Sequence, residues 1–311
     1  MTNSNSAAAV AQPGILAPPP PLGSYMLFRT NADRPDITAL INLLADNFAN
    51  AVKDGTLVVG FGNELMAAAD SAIAYKRYLQ PEDGHAPSPA NPADLAVWLR
   101  GNDRGELFHL GRKIDQQLSR YCRLTKLIHS FTYRRRTEGK DVVAHDLSDF
   151  EDGIENPQGQ AAIDAALMSS PATHLNGSSL WALQLWQHDF AWLEAASTAE
   201  KEHAIGRSLR DNQELADNKP SAHIVRTEQE SFSPQAHMLR RSMPWCDDQL
   251  NAGLVFSCFA HSLYPFEVQL GRMRGCEDGI QDGIFQFSRI LETNYFWCPP
   301  IDQAGRLRHV V

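Results

Sequence analysis

Three short stretches of the sequence contain side chains that can take part in chemistry. Residues 145–157 crowd five carboxylates into ten positions, residues 221–226 place His223 among apolar neighbours, and residues 239–245 contain Arg240 and Arg241. Carboxylates move protons, neutral imidazoles bind metals and guanidinium groups stabilise negative charge. Taken alone, each stretch also has an ordinary explanation: a solvated acidic turn, a packed core histidine and surface ion pairs.

The acidic stretch does not fit a calcium loop of the EF-hand type. That loop needs oxygen ligands at alternate positions before its glycine. With Gly153 as that glycine, the alternate positions are Ser148, Phe150 and Asp152. A phenylalanine cannot bind calcium, so this interpretation fails.

The elements that must position these side chains can be predicted from periodicity and caps. One apolar stripe at spacings of three and four predicts a helix capped by Asp36, and it consists of Ile37, Leu40, Ile41, Leu44, Phe48 and Ala51. A capping box, Ser197-x-x-Glu200, predicts the start of another helix. The remaining helices are predicted at 104–118 and 265–273, and the strands at 25–28, 57–61, 95–99, 124–133, 180–185, 222–226, 253–260 and 294–297.

This order of elements predicts a duplicated ferredoxin-like α+β fold, with two βαββαβ units, antiparallel sheets and helices packed on them. We expect residues 1–24, rich in Ala, Ser and Pro, to form a mobile tail. Residues 25–145 would form the first unit, 146–176 a connecting segment with the acidic loop, and 177–311 the second unit with His223.

Composition narrows the class of protein. The chain has 311 residues, 43% hydrophobic and 21% charged, with a net charge of -9 and a pI of about 5.6, which disfavours binding to nucleic acid. Its five cysteines form no Cys-x-x-Cys pair, as expected for structural thiols in a reducing compartment. We find neither a signal peptide nor an apolar stretch long enough to span a membrane, and we predict a cytoplasmic protein.

The order of the three stretches resembles one family. Asp-Gly-x-Glu-Asn-Pro at 152–157, His-Ile-Val-Arg at 223–226 and Leu-Arg-x-Ser-Met-Pro at 239–244 are similar to motifs of the dye-decolorising peroxidases, and closest to their shorter, P-type bacterial branch. The resemblance extends over residues 25–300, through 98–107, 181–189, 205–207 and 295–300. It implies a haem b enzyme of duplicated ferredoxin-like fold.

The resemblance also implies roles for individual residues. His223 would be the proximal ligand of the haem iron, and Asp282 would accept a hydrogen bond from its other nitrogen. Asp152 would shuttle the peroxide proton on the distal face, Arg240 would stabilise the charge on the leaving oxygen, and Ser242 would complete the pocket. Arg241 would be an outward neighbour.

The implied reaction reduces hydrogen peroxide and oxidises organic donors such as dyes, phenols or other aromatic compounds through a ferryl porphyrin-radical intermediate. Bulky donors would need electron transfer through aromatic side chains, for which the candidates by type are Trp181, Trp186, Trp192, Tyr264 and Trp297. Members of the family are commonly homo-oligomers, and we expect the same here. Some relatives are packaged in protein shells through a C-terminal extension, and we see none before Val311.

One residue departs from the family motif. The loop usually reads Gly-x-x-Asp-Gly, and here Asp149 replaces the first glycine. Aspartate tolerates a positive φ better than most residues, so we expect the fold to survive and Asp152 to become harder to ionise. Two other functions stay open: a haem-handling protein with little peroxidase turnover, which needs His223 but not Asp152 and Arg240, and an interaction module that binds calcium or no metal.

Overall fold

The computed structural model describes residues 3–31, 36–63, 65, 78, 84–138, 141–170 and 175–308. Two short helices precede the first βαββαβ unit. They are α1 (Asn3–Ala8) and α2 (Pro13–Leu16). The unit itself consists of β1 (Leu22–Thr30), α3 (Ile37–Lys53), β2 (Leu57–Phe61), β3 (Leu95–Gly101), α4 (Arg104–Leu118) and β4 (Cys122–Phe131).

A small antiparallel sheet and one helix connect this unit to the second. They are β5 (Tyr133–Glu138), β6 (Asp141–His145), β7 (Glu151–Asp152) and α5 (Gly159–Ala166). The second unit begins with β8 (Ser179–His188), α6 (Phe190–Ala195), α7 (Thr198–Ile205) and α8 (His223–Arg226). It continues with β9 (Leu239–Arg240), β10 (Met243–Cys246), β11 (Ala252–Ala260), α9 (Tyr264–Met273) and β12 (Ser288–Cys298). Short 3-10 helices lie at Gln229–Ser231 and Gly283–Gln286.

Both units contribute to one antiparallel sheet. The first unit has the strand order β4-β1-β3-β2, and the second has β12-β8-β11 followed by β9 and β10. Both β9 and β10 pair with β11 in one register, so they form a single strand interrupted at residues 241–242. Strand β10 also pairs with β4, and β12 pairs with β2, which closes the strands into a ring. The predicted duplicated ferredoxin-like α+β fold is confirmed.

The ring separates two hydrophobic cores. Its interior is filled by aromatic side chains, with Tyr25 stacked on Trp98 at 5.5 Å between ring centroids and Trp181 on Phe259 at 5.4 Å. The second core lies on the outer face, where the helices pack. Alternation along each strand sends successive side chains to the two cores in turn.

Helix α3 confirms the helix predicted from its apolar stripe. Residues Ile37, Leu40, Ile41, Leu44 and Phe48 are all buried. Asp36 caps the helix, because its carboxylate accepts a hydrogen bond from the backbone N–H of Ala39 at 3.0 Å. The capping box at Ser197 and Glu200 is present at the start of α7.

The N-terminal segment is not a mobile tail. Gln12 is fully buried: its Nε2 donates to the carbonyls of Val59 at 2.9 Å and Pro299 at 3.0 Å, and its Oε1 accepts from the Val59 N–H at 2.8 Å. Strands β2 and β12 pair only at Phe61 and Trp297 within the described residues, so this amide bridges the seam between the two units. Composition suggested disorder because it takes no account of such a buried polar anchor.

The predicted strand at 222–226 is also wrong. His223–Arg226 form a helical turn instead, although Ile224 and Val225 favour strands. Tertiary contacts decide the outcome: the buried guanidinium of Arg226 makes two 2.7 Å hydrogen bonds to the Asp278 carboxylate. Among the residues described, no helix is both long and apolar enough to cross a membrane.

Candidate active site

A cavity lies on the outer face of the second unit, between β8, β11, α9 and the acidic loop. It encloses about 950 Å³ of empty space, including the part open to solvent. Ligand pockets in proteins are lined mainly by apolar side chains. The apolar part of the wall includes Trp186, Leu254, Phe256, Phe266, Leu270 and Phe287.

His223 lines this cavity from the first position of α8. Its Nδ1 lies 2.8 Å from Oδ2 of Asp282, a carboxylate with no solvent exposure. The other oxygen of Asp282 accepts a hydrogen bond from the N–H of Ile284 at 2.8 Å, which fixes the carboxylate. Because Nδ1 donates to Asp282, the imidazole presents Nε2 as its free lone pair.

Asp152 lines the same cavity at the end of β7. Burial raises the pKa of its carboxyl above the usual range, while the positive charge of Arg240 opposes this increase. The nearby carboxylate of Asp146 raises the pKa further, and His223 and the Gly153 N–H lower it. Asp152 therefore accepts a proton more readily than an exposed aspartate does.

Arg240 reaches the cavity from β9. Its buried Nε has no hydrogen-bond partner among the described residues, although a buried guanidinium N–H normally has one. The backbone of Arg240 is held by the side chain of Asn156 at the end of the acidic loop. The structure thus brings Asp152, His223 and Arg240 to one cavity and places Asp282 behind His223.

Ser242 is not among the side chains that line the cavity. It lies in the interruption between β9 and β10, and its buried hydroxyl has no hydrogen-bond partner within the described part of the chain. Its role in completing the pocket stays a prediction.

Arg241 does not point outward into solvent. Its side chain is half-buried against the N-terminal segment, where Nη2 donates to the Leu16 carbonyl at 2.6 Å. Burial lowers its pKa to about 10, and the positive charge of Arg100 acts in the same direction. Arg100 donates to the carbonyls of Gly14 and Pro18. These two arginines, one from each unit, hold α2 and its flanking residues over the sheet.

Asp149 takes the positive φ expected of the glycine it replaces, with φ at 75°. Its carboxylate lies 2.8 Å from Nη1 of Arg134 and is half exposed. The acid that raises the pKa of Asp152 is Asp146, so the predicted origin of that effect was wrong.

Within the described ranges, no three His, Cys, Asp or Glu side chains group closely enough to hold a bare metal ion.

A second buried pair in the cavity wall was missed from the sequence. His188 Nε2 lies 3.0 Å from Oδ1 of Asp146, and His188 Nδ1 lies 2.9 Å from the Ser288 hydroxyl. Burial alone would raise the pKa of Asp146, but the charge and hydrogen bond of His188 outweigh it and the pKa is lowered. Alternation along β8 was the available signal, because it places His188 on the same face as Gln184 and Trp186.

The aromatic candidates divide by location. Trp181 and Trp297 are fully buried, Trp181 in the ring interior and Trp297 in the outer core. Trp186 lines the cavity wall, and Tyr264 donates to the Pro234 carbonyl at 2.9 Å. Trp192 is half-buried and stacks at 5.5 Å on Phe287, which itself lines the cavity.

Comparison with known proteins identifies the family. The model of the C-terminal region of Dyp-type peroxidases matches residues 143–303, so the chain belongs to the Dyp-type peroxidase family. It is similar to dye-decolorizing peroxidases of Mycobacterium tuberculosis (26% identity, covering 94% of this chain and 90% of that protein) and Rhodococcus erythropolis (29% identity, covering 69% and 62%). The protein is therefore an oxidoreductase that uses hydrogen peroxide, in a family of haem peroxidases.

Solved structures share the fold. A dye-decolorizing protein from Vibrio cholerae superposes with a TM-score of 0.81 at 20% identity, covering 96% of this chain and all of that one. A variant of DypB from Rhodococcus jostii in complex with heme has a TM-score of 0.79 at 23% identity, covering 94% and 97%.

The residues of the cavity suit a haem. The wall is mainly apolar, as a porphyrin face requires, and His223 offers one imidazole nitrogen whose orientation is fixed by Asp282. The unpartnered guanidinium N–H of Arg240 is a buried donor that a ligand in the cavity can satisfy.

Proposed function

We propose that the protein is a haem b peroxidase that reduces hydrogen peroxide and oxidises aromatic donors such as dyes and phenols. One observation carries the proposal: a carboxylate-oriented histidine and an Asp–Arg pair line the same apolar cavity. When bound, the haem supplies the redox chemistry that couples peroxide to the donor.

His223 would hold the haem iron through Nε2. The hydrogen bond from Nδ1 to the Asp282 carboxylate fixes the tautomer and increases electron donation from the imidazole. Because Asp282 is itself held by the Ile284 N–H, the ring cannot rotate without breaking its hydrogen bond to a fixed carboxylate. A haem-handling protein would need this pair but not the Asp–Arg pair across the cavity.

Asp152 and Arg240 would act on the peroxide. The Asp152 carboxylate accepts the proton of one peroxide oxygen and returns it to the other, which leaves as water. Its raised pKa favours accepting that proton. Arg240 stabilises the negative charge that develops on the leaving oxygen, and its guanidinium stays protonated throughout.

Bulky donors would be oxidised at the surface, with Trp192 as the site. Its support is the stack on Phe287, which joins a half-buried indole to the cavity wall through one ring. Replacing Trp192→Phe should slow oxidation of a bulky anthraquinone dye several-fold and leave a small phenol unaffected. Equal rates for the dye in both proteins would rule out this residue.

Location and assembly stay predictions. All five cysteines lie within the described residues and none of them forms a disulfide there, which suits the reducing cytoplasm. A homo-oligomer is expected from the family, and light scattering of the purified protein would measure its mass.

The decisive experiment is the visible spectrum of the purified protein before and after one equivalent of hydrogen peroxide. A ferric Soret band that peroxide converts to a new oxidised spectrum is the expected result. A Soret band that peroxide leaves unchanged would favour haem handling. If reconstitution gives no Soret band, the protein does not bind haem and the proposal fails.

A further inference from the structure

A single amide side chain connects the loop of Asp152 to the strand of Arg240. Oδ1 of Asn156 accepts a hydrogen bond from the backbone N–H of Arg240 at 2.7 Å, and Nδ2 of Asn156 donates to the Arg240 carbonyl at 3.1 Å. One residue that lies 84 positions earlier in the chain therefore binds both backbone polar groups of Arg240, and the carbonyl also accepts from Nη1 of Arg241 at 3.2 Å.

This contact replaces a missing strand. Strand β9 lies at the end of the strand order, paired to β11 on one side. A residue at such an edge presents its N–H and C=O in the same direction, without a partner. The amide of asparagine carries one acceptor and one donor side by side, so it pairs with both groups as a neighbouring strand would.

The loop side of the contact is equally constrained. The Asn156 N–H donates to the Gly153 carbonyl at 3.3 Å, which closes a turn directly after Asp152. A neighbouring amide, Gln229, reinforces the connection without touching Arg240: Nε2 donates to the Glu155 carbonyl at 3.1 Å, and Oε1 accepts from the Met238 N–H at 3.4 Å.

We propose that Asn156 is a positioning residue that sets the place of the Arg240 guanidinium relative to Asp152. It acts on the backbone of Arg240, so the guanidinium itself stays free to meet a ligand in the cavity. The inference rests on the role proposed for Arg240. It implies that the loop with Asp152 and the strand with Arg240 keep a fixed position relative to each other.

The test measures fluoride binding to the ferric holoprotein by absorption titration, because an anion in the cavity reports the position of a charged donor without turnover. Arg240→Leu should raise the fluoride Kd by about tenfold or more, since a hydrogen bond to a charged group contributes about 1.5–3 kcal/mol. Asn156→Ala should raise it by about threefold to tenfold, and the double variant should bind no worse than Arg240→Leu alone.

Gln229→Ala is the matched control, because it also removes an amide that joins the same loop to the chain, here at Met238, directly before β9. We expect it to lower the melting temperature as Asn156→Ala does and to leave the fluoride Kd within about twofold. Equal effects of the two variants, or additive effects in the double variant, would show a general loosening and overturn the inference. If Arg240→Leu itself leaves fluoride binding unchanged, the proposed role of Arg240 fails instead.

Hydrogen exchange supplies a second measurement that needs no haem. In Asn156→Ala the backbone amide of Arg240 loses its acceptor and should exchange faster, while the Arg241 amide, which donates to the Ser257 carbonyl at 2.6 Å, should stay protected. If the alanine variant does not fold, Asn156→Ser gives the same comparison, because its hydroxyl is too short to bridge both groups. Unchanged exchange at Arg240 in a folded variant would contradict the inference.

Discussion

The two βαββαβ units share a strand order but cover their outer faces differently. In the first unit, α3 with 17 residues and α4 with 15 residues pack over the sheet and leave a filled core. In the second, the first crossover is divided into helices of six, eight and four residues, and the cavity lies beneath them. A long amphipathic helix closes a face, whereas a divided crossover leaves room for a ligand.

The division can be traced to particular residues. Ser197 begins α7 with a capping box, and Gly206 ends it with a φ of 98°. Pro220 then precedes the turn that presents His223. Ser197 and Gly206 lie at the two ends of α7, and Pro220 lies in the turn before α8, so the chain does not continue as one helix across this face.

Removing the histidine that we propose as the iron ligand should produce the largest difference between the two units. We expect His223→Ala to lose stable haem binding, because the cavity then has no imidazole to hold the iron, and added imidazole should restore part of the Soret band. His109 has an exposed side chain on α4 of the first unit, so His109→Ala is the control and should bind haem normally. Full haem content with an unaltered spectrum in His223→Ala would remove His223 from the ligand role.

Removing the charged donor should have the next largest effect. Arg240→Leu should slow the reaction with peroxide by roughly a hundredfold, the usual scale for deleting a group that stabilises developing charge. Stopped-flow absorption would measure this rate. Arg241→Leu provides a contrast, since its side chain faces the N-terminal segment and its loss should act on stability instead. A normal rate in Arg240→Leu would point to another charge-stabilising group.

A core substitution in the first unit should separate stability from haem binding. Leu44 is fully buried on the sheet-facing side of α3, so Leu44→Ala should lower the free energy of unfolding by about 3 kcal/mol. Urea denaturation of the haem-free protein would measure the loss. The haem affinity of the folded variant should not change, and a parallel loss of haem affinity would mean that the filled unit also supports the cavity.

The smallest expected effect concerns how the rate of the peroxide reaction depends on pH. Asp152 faces Arg240 from β9, His223 from α8 and Asp146 from its own loop, and the role as a base that we propose for it requires the ionised carboxylate. The rate of the peroxide reaction should decrease as the pH is lowered and Asp152 becomes protonated. Because the pKa of Asp152 is raised, this decrease should occur at a higher pH than it would with an ordinary aspartate. Asp146→Asn removes a negative charge, lowers the pKa of Asp152 and should move this acid limit to lower pH.

Asp149→Asn is the matched control in the same loop. Its carboxylate pairs with Arg134 at the surface, and asparagine also tolerates the positive φ. The pH profile should therefore stay as in the parent protein. A shift in this variant and none in Asp146→Asn would reverse the assignment of the two charges.

Much of the fold could be predicted because its signals are local. The stripe of α3, the Ser197 capping box and the apolar run of β2 each depend on neighbouring residues, and all three are present. The predicted strand at His223 failed because Arg226 and Asp278, far apart in sequence, decide that conformation. The tail prediction failed for the same reason, since Gln12 finds its partners in β2 and beyond β12.

The candidate site likewise contains residues that the sequence could identify and residues that it could not. Residue types and the family resemblance were enough to select His223, Asp282, Asp152 and Arg240, and the contact between His223 and Asp282 is present. They gave no role to His188, Asp146 or Asn156, whose contacts depend on how loops fold against strands. A single sequence does not predict which side chains pair when they are far apart along the chain.

The anchoring of Gln12 has a consequence for the synthesis of the chain. Its amide needs the carbonyl of Pro299, which lies 287 positions later. At ribosomal rates of about 5–20 residues per second, Gln12 waits roughly 15–60 seconds for that partner to be made. The seam between the units therefore closes only after β12 and Pro299 have been translated. We expect a ribosome-stalled chain that ends before β12 to have an N-terminal segment open to proteases, and full-length release to protect it.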